Sequence, residues 1–186
     1  MSMAKRSIIP KTPLIPGMDK MYKIRLANPA DLPRIVEIYN QAILSQNVTG
    51  DTVPFPVEAR RDWFDQHDAD HYPLYSCEDA GGQVAGFLSL SPYRDRPAMI
   101  RTAEVSYYVD YACHHHGIGS ALMQYALADC GRTGKQVLLA IVLEWNLASI
   151  KLLEKFSFEK WGYLPEVADF SGRLCGHLYY GRKVVK

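Results

Sequence analysis

The chain has 186 residues, 48% hydrophobic and 22% charged, which suits one soluble globular domain with a substantial core and leaves too little chain for two. Lys and Arg number 21 against 20 Asp and Glu, a formal charge of +1 with no basic stripe, so a nucleic-acid partner is not expected. No apolar run is long enough to span a bilayer, the first residues lack a signal-peptide core, and Cys77, Cys113, Cys130 and Cys175 form no CxxC pair, which reads as reduced thiols in a cytoplasmic protein.

Residues 1–20 hold Pro10, Pro13 and Pro16 among Lys, Ser and Gly and read as a flexible extension. A short strand is expected over 22–26. Asn28-Pro29 then opens a helix, with Asn as cap, Pro in the first turn and Leu32, Ile35, Ile38, Tyr39 and Ile43 as its apolar stripe. After a loop over 46–56, a second helix is expected over 57–67, carrying Trp63 and Phe64. Residues 74–77 and 84–91 read as a hairpin about Gly81-Gly82. An Arg- and Pro-containing loop, 93–99, leads into a strand over 102–109.

That strand runs through a short turn into Gly117-Ile118-Gly119 and at once into a helix with Ile118, Ala121, Leu122, Tyr125 and Ala128 at helical spacing. Amides at such a junction point outward at the positive end of a helix and form a seat for phosphate, and glycine keeps side chains out of the anion's way. The apolar run 136–143 suits a strand buried on both faces. A helix over 148–155 and two strands, 163–169 and 175–185, complete the chain. The order is β-α-α-β-β-β-α-β-α-β-β, an α/β (α+β) arrangement on a mixed sheet.

This order resembles the GCN5-related N-acetyltransferase (GNAT) superfamily. Val84-Ala85-Gly86 is similar to its third-strand signature, His114-x-x-Gly117-x-Gly119 to its acetyl-CoA pyrophosphate loop, and Asn146-x-x-Ser149 followed by Leu152-Leu153-Glu154-Lys155 to its Asn-x-x-Ser/Ala segment. The likeness spans residues 22–184. Thr102 to Asp110, the Arg96-Pro97-Ala98-Met99 loop and Trp161 to Pro165 are similar to the phosphinothricin and methionine sulfone/sulfoximine N-acetyltransferase subfamily. The resemblance implies one acetyltransferase domain over 21–186, central strands splayed apart, acetyl-CoA as cosubstrate, a small amino-acid-like acceptor and a homodimer.

Site residues follow from the same likeness. The backbone of Tyr108, Val109 and Asp110 would pair with pantetheine by strand addition. The turn and helix start, with His114, His115, His116, Gly117, Ile118, Gly119 and Ser120, would hold the pyrophosphate. Asn146 and Ser149 would meet the pantetheine, although Asn146 also reads as a helix cap. Three adjacent histidines cannot converge on one ion, so no metal is expected. Glu104 falls on the polar side of its strand with Thr102, Ser106 and Tyr108, and it occupies the position of the subfamily's glutamate base. For an acceptor carboxylate, Arg94, Arg96 and Arg101 supply guanidinium forks, with Met99 and Phe55 as further pocket residues and Trp63 assigned to the core.

Two departures leave alternatives open. Leu153 stands where many relatives place a tyrosine acid, and His114 where they place Gln or Arg. A non-catalytic acyl-CoA-binding module therefore remains alongside the amino-acid reading, and so does a different amine (a polyamine, an antibiotic or a protein N-terminus), because fold likeness alone does not give the acceptor. A dinucleotide oxidoreductase is disfavoured, because its third glycine would fall at Leu122 and its glycine turn opens the fold instead of coming late.

Overall fold

A computed structural model describes residues 22–184. The extension expected over 1–20 and the end of the last strand at Val185 lie outside the described residues. Seven strands form one sheet: β1 (Lys23–Leu26), β2 (Leu74–Glu78), β3 (Val84–Pro92), β4 (Thr102–Val109), β5 (Val137–Leu143), β6 (Glu159–Phe170) and β7 (Arg173–Lys183). Their spatial order is β1-β2-β3-β4-β5-β7-β6, and only β4 and β5 run parallel. The helices are α1 (Leu32–Ser45), α2 (Arg61–Asp65), α3 (Ile118–Thr133) and α4 (Leu147–Lys155). Among the described residues, no helix is long and apolar enough to cross a membrane.

Local chemistry accounts for the element ends. Asn28 accepts from the Ala30 amide at 3.0 Å, and Asp31 accepts from the Asn28 amide at 2.8 Å, a reciprocal cap that starts the turn into α1. The apolar stripe of α1, Leu32, Ile35, Ile38, Tyr39 and Ile43, is buried as the spacing predicts. It packs with Leu74, Val84 and Phe87 on one face of the sheet. On the opposite face α3 covers Leu88, Leu90, Ala103, Val105 and Leu138. Ala128 of α3 is exposed, whereas Met123, Ala126 and Cys130 are buried, because the face laid on the sheet is centred on Leu122 and Asp129, further round the helix than the expected stripe.

Two elements differ from expectation. The single helix over 57–67 is a 3-10 turn, Val57–Arg60, followed by the five-residue α2. Arg60, at φ −103° and ψ 2°, breaks the helical path between them. The last hairpin is longer than expected, since β6 runs from Glu159 to Phe170. Irregular pairing between Lys160 and Gly162 and between Leu164 and Ala168 absorbs Pro165 on what is an edge strand.

Candidate active site

The sheet comes apart at its parallel pair. β4 meets β5 only through Thr102, Ala103 and Glu104, paired with Val137, Leu138 and Leu139. Strand parity fixes what the open edge presents. The Asp110 amide donates to the Ala85 carbonyl of β3 at 2.9 Å, while the Val137 amide donates to the Arg101 carbonyl at 3.2 Å. Even-numbered β4 residues therefore bond toward β3; on the other side the last rung takes up the Val105 amide, and the Val105 carbonyl and the backbone groups of Tyr107 and Val109 turn toward the gap. This corrects the expectation for Tyr108 and Asp110. Tyr108 bonds to β3 and reaches the gap by its side chain, and the Asp110 carboxylate is buried against Arg34.

The gap widens into a groove of about 870 Å³ that continues past the start of α3 to the first turn of α4. Gly117, at φ +83°, turns the chain into α3 in the left-handed region that favours glycine. The amides of residues 115–120 find no acceptor among the described residues; the first one used is that of Ala121, which donates to the Gly117 carbonyl at 3.0 Å. Unpaired amides at the positive end of a 16-residue helix suit a polyanion. The Lys155 ammonium stands beside them and donates to Ser120 Oγ at 3.1 Å.

His114 and His115 line the groove, whereas His116 is exposed and stands outside its lining. The His114 ring is tilted on Tyr111 and its Nε2 lies 3.1 Å from the Val109 carbonyl. Asn146 and Ser149 also line the groove. Asn146 caps α4, its Oδ1 accepting from the Ser149 amide at 3.1 Å, which leaves its amide nitrogen free for a ligand. Leu153 is fully buried in the core. Tyr107, unremarked in the sequence, sends its hydroxyl across the gap to Ser149, and burial pushes this phenol up to about 12.

A second cavity, of about 540 Å³, opens on the α1/α2 face and meets the groove at Tyr108 and Val48. Its floor carries Ser89 and Ser91 of β3 with Glu104, Ser106 and Tyr108 of β4, the side that the strand alternation predicts. Tyr39, Arg60 and Trp63 form one wall; Ile141 and Leu143 of β5 with His177 and Tyr179 of β7 form the other. The Glu104 carboxylate has no ion pair or hydrogen bond among the described residues. Loss of water around it pushes its pKa above the ordinary carboxylate value, and the Arg94 charge pulls partly the other way. Burial lowers the His177 pKa, so its ring is neutral at pH 7.

Of the expected acceptor ligands, Arg94 lines this cavity. Arg96 and Arg101 do not: both are exposed, Arg96 held to the Asp95 carbonyl at 3.2 Å and Arg101 to Gln136 Oε1 at 3.4 Å. Met99 stands on the surface turn Pro97–Met99. Phe55 packs behind the wall, stacked on Tyr39 with centroids 6.2 Å apart. The physical reason is common to Arg96, Met99 and Arg101. After Arg94 the chain folds into the surface turn Pro97–Met99, outside the cavity lining, and rejoins the cavity floor only at Glu104. Trp63 packs in the core and lines the cavity as well. Arg60, His177 and Tyr179 were not singled out from the sequence, and Tyr39 was read only as part of the apolar stripe of α1. Only the Arg60-x-x-Trp63 spacing, one helical turn, hinted at a shared wall.

A parallel pair split beyond three rungs, an anion seat on one side and a pocket with a lone carboxylate on the other define an acyl-transfer fold. The sequence profile of the acetyltransferase (GNAT) family matches residues 35–158, and the chain belongs to that family. Within it, the chain is 41% identical to YwnH of Bacillus subtilis over 161 residues, 87% of this chain and 98% of that one. It is 33% identical to the L-methionine sulfoximine/L-methionine sulfone acetyltransferase of Pseudomonas aeruginosa, over 81% of this chain and 87% of that one. The crystal structure of a phosphinothricin acetyltransferase from Sinorhizobium meliloti in complex with AcCoA superposes with a TM-score of 0.82 at 26% identity, covering 87% of this chain and 88% of that one.

Proposed function

We propose that this acetyltransferase moves the acetyl group of acetyl-CoA to the α-amine of a small amino-acid-like acceptor of the phosphinothricin, methionine sulfone or methionine sulfoximine type, both substrates being bound together. The observation that carries the reading is the meeting of the two cavities at Tyr108, one with an anion seat and the other with an unpaired, partly desolvated carboxylate. The residues present fit the cosubstrate. Unpaired amides over 115–120 with Lys155 suit its pyrophosphate, and the open backbone of Tyr107 with the Val105 carbonyl and the Val109 amide suits the amides of pantetheine. Asn146 and Ser149 stand along the same groove. Acetyl-CoA supplies an acyl thioester, already activated for attack by an amine.

The chain's own work is to bind, orient and deprotonate. An α-amine arrives as an ammonium, and Glu104 takes its proton, directly or through one water. A carboxylate whose pKa is raised toward the working pH is better matched to this transfer than an ordinary one. Arg94 pairs with the acceptor carboxylate and so places the amine beside Glu104. The buried wall of Phe87, Tyr108 and Trp63 keeps bulk water from the reacting atoms.

The same reading makes residues 21–186 one catalytic domain that works as a homodimer in the cytoplasm. In support, β6 and β7 expose Trp161, Tyr163, Leu164, Val167 and Leu174, apolar surface suited to a second copy, and the four cysteines are free thiols. Thiol release from acetyl-CoA tests the function, with methionine sulfone, methionine sulfoximine, phosphinothricin, ordinary amino acids and a polyamine as acceptors. Release with the amino-acid analogues, lost in Glu104→Gln, is the expected result. Release only with the polyamine overturns the acceptor assignment, and acetyl-CoA binding without release overturns catalysis. Light scattering during gel filtration tests the dimer.

A further inference from the structure

Arg60 is the one half-buried arginine among the described residues with no hydrogen-bonding partner. Arg25 is paired with Asp31 and Glu78, Arg34 with Glu37 and Asp110, and Arg182 donates to the Phe156 carbonyl. Arg60 has neither ion pair nor hydrogen bond. Its guanidinium instead lies 4.3 Å from the Trp63 ring centroid, 4.8 Å from Tyr39 and 5.2 Å from Phe55. Aromatic rings attract the flat face of a guanidinium and hold it in one orientation, yet they take up none of its in-plane N–H donors. Those donors belong to a side chain that lines the acceptor cavity. The result is a rigid, partly dehydrated cation with its fork unoccupied.

Charge balance and position then constrain the acceptor, on the reading that its α-amine is acetylated. The cavity holds two cations, Arg60 and Arg94, one carboxylate, Glu104, and a neutral His177. Arg94 acts electrostatically on Glu104, whereas Arg60 acts on Tyr39, Tyr108 and His67, so the two arginines serve different parts of the cavity. An α-carboxylate sits one carbon from the amine and must stay near Glu104, which assigns it to Arg94. A plain amino acid would leave Arg60 without a counterpart. We propose that Arg60 is a specificity-determining residue that holds a second oxygen-bearing group at the end of the acceptor side chain, one that offers at least two acceptor atoms to the fork, as sulfonyl, sulfoximine, phosphinate and carboxylate groups do.

The test compares kcat/KM for methionine sulfone with that for norleucine, its apolar counterpart, in the wild type, Arg60→Met and Arg60→Lys. The wild type prefers the sulfone, and Arg60→Met lowers the sulfone-to-norleucine ratio by about tenfold or more, the equivalent of one charge-assisted hydrogen bond. The change lies mainly in KM for the sulfone. Arg60→Lys, which keeps the charge without the fork, gives an intermediate ratio and remains measurable where the methionine variant folds poorly. A purely structural Arg60 would depress both acceptors equally and leave the ratio untouched, and that result overturns the proposal. A wild type that acetylates sulfone and norleucine equally well also overturns it while leaving α-amine acetylation standing. A wild type that acetylates no amino acid removes both.

Discussion

Replacing Gly86 with alanine perturbs the fold and the cosubstrate site through the same atoms. A Cβ at Gly86 would stand 3.0 Å from the Tyr108 carbonyl oxygen, 3.0 Å from Ile118 Cγ2 and 3.4 Å from Leu122 Cδ1. The carbonyl belongs to the β3–β4 ladder and cannot retreat without breaking it. Ile118 and Leu122, 1% and 0% exposed, begin α3, so the helix start must give way by a few tenths of an ångström. Overpacking of this kind costs about 2 kcal/mol, which lowers Tm by about 4–8 °C in a chain of this length. Displacing the amides that follow Gly117 weakens the anion seat by about 1 kcal/mol, or about fivefold in KM for acetyl-CoA. Thermal unfolding gives the first number, and steady-state kinetics with varied acetyl-CoA at saturating amine gives the second. A lower Tm with unchanged KM for acetyl-CoA would refute the link between β3 packing and the seat. An unchanged Tm would refute the packing argument itself.

The remaining expectations concern charge and ligand linkage. Glu104→Gln reduces kcat/KM for the amine by about 10²–10⁴ while acetyl-CoA still binds, as calorimetry on the variant would show. Because Glu104 acts as its anion and its pKa is raised, wild-type activity climbs with pH through a limb above the ordinary carboxylate range. Arg94→Gln removes the charge that lowers this pKa, so the limb moves to higher pH; a limb that stays put would show the two groups to be uncoupled. Asp110→Asn removes the more buried of the two carboxylates paired with Arg34, leaving Glu37, and it costs about 2 kcal/mol, read as a Tm lower by about 4–8 °C. Acetyl-CoA at about 100 times its Kd stabilises the protein by about 2.7 kcal/mol and slows hydrogen exchange at the Tyr107 and Val109 amides.

Much of the fold was legible because local patterns agreed with the final packing. Alternation along 102–109 put Glu104, Ser106 and Tyr108 on one face, and the structure places them together on the cavity floor. The glycine turn and the stripe of α3 announced a helix start with open amides. The acceptor pocket was less legible, for geometric reasons. Sequence neighbours of Glu104 were natural candidates, yet β4 begins only at Thr102, and the chain before it folds into the surface turn Pro97–Met99, which takes Arg96 and Met99 out of the cavity lining. Arg60 and His177 are remote in sequence and arrive only through packing: Arg60 through the break between the Val57–Arg60 turn and α2, His177 through its pairing with Leu143. The split between β4 and β5 is likewise a property of two strands and not of either one. Resemblance to a family implied it; no residue pattern within a single strand could.

That split also divides the gene. Everything on one side of the seam, β1 to β4, comes from residues 23–109, and everything on the other, β5 to β7, comes from 137–183. The acceptor cavity straddles the two, with Arg60, Trp63 and Glu104 encoded in the first stretch and Ile141, His177 and Tyr179 in the second. A single crossover within the α3–β5 connection would therefore exchange one whole wall of the pocket, together with Asn146, Ser149 and Lys155 of the groove, while Glu104 and the unpaired amides of residues 115–120 stay with the other half.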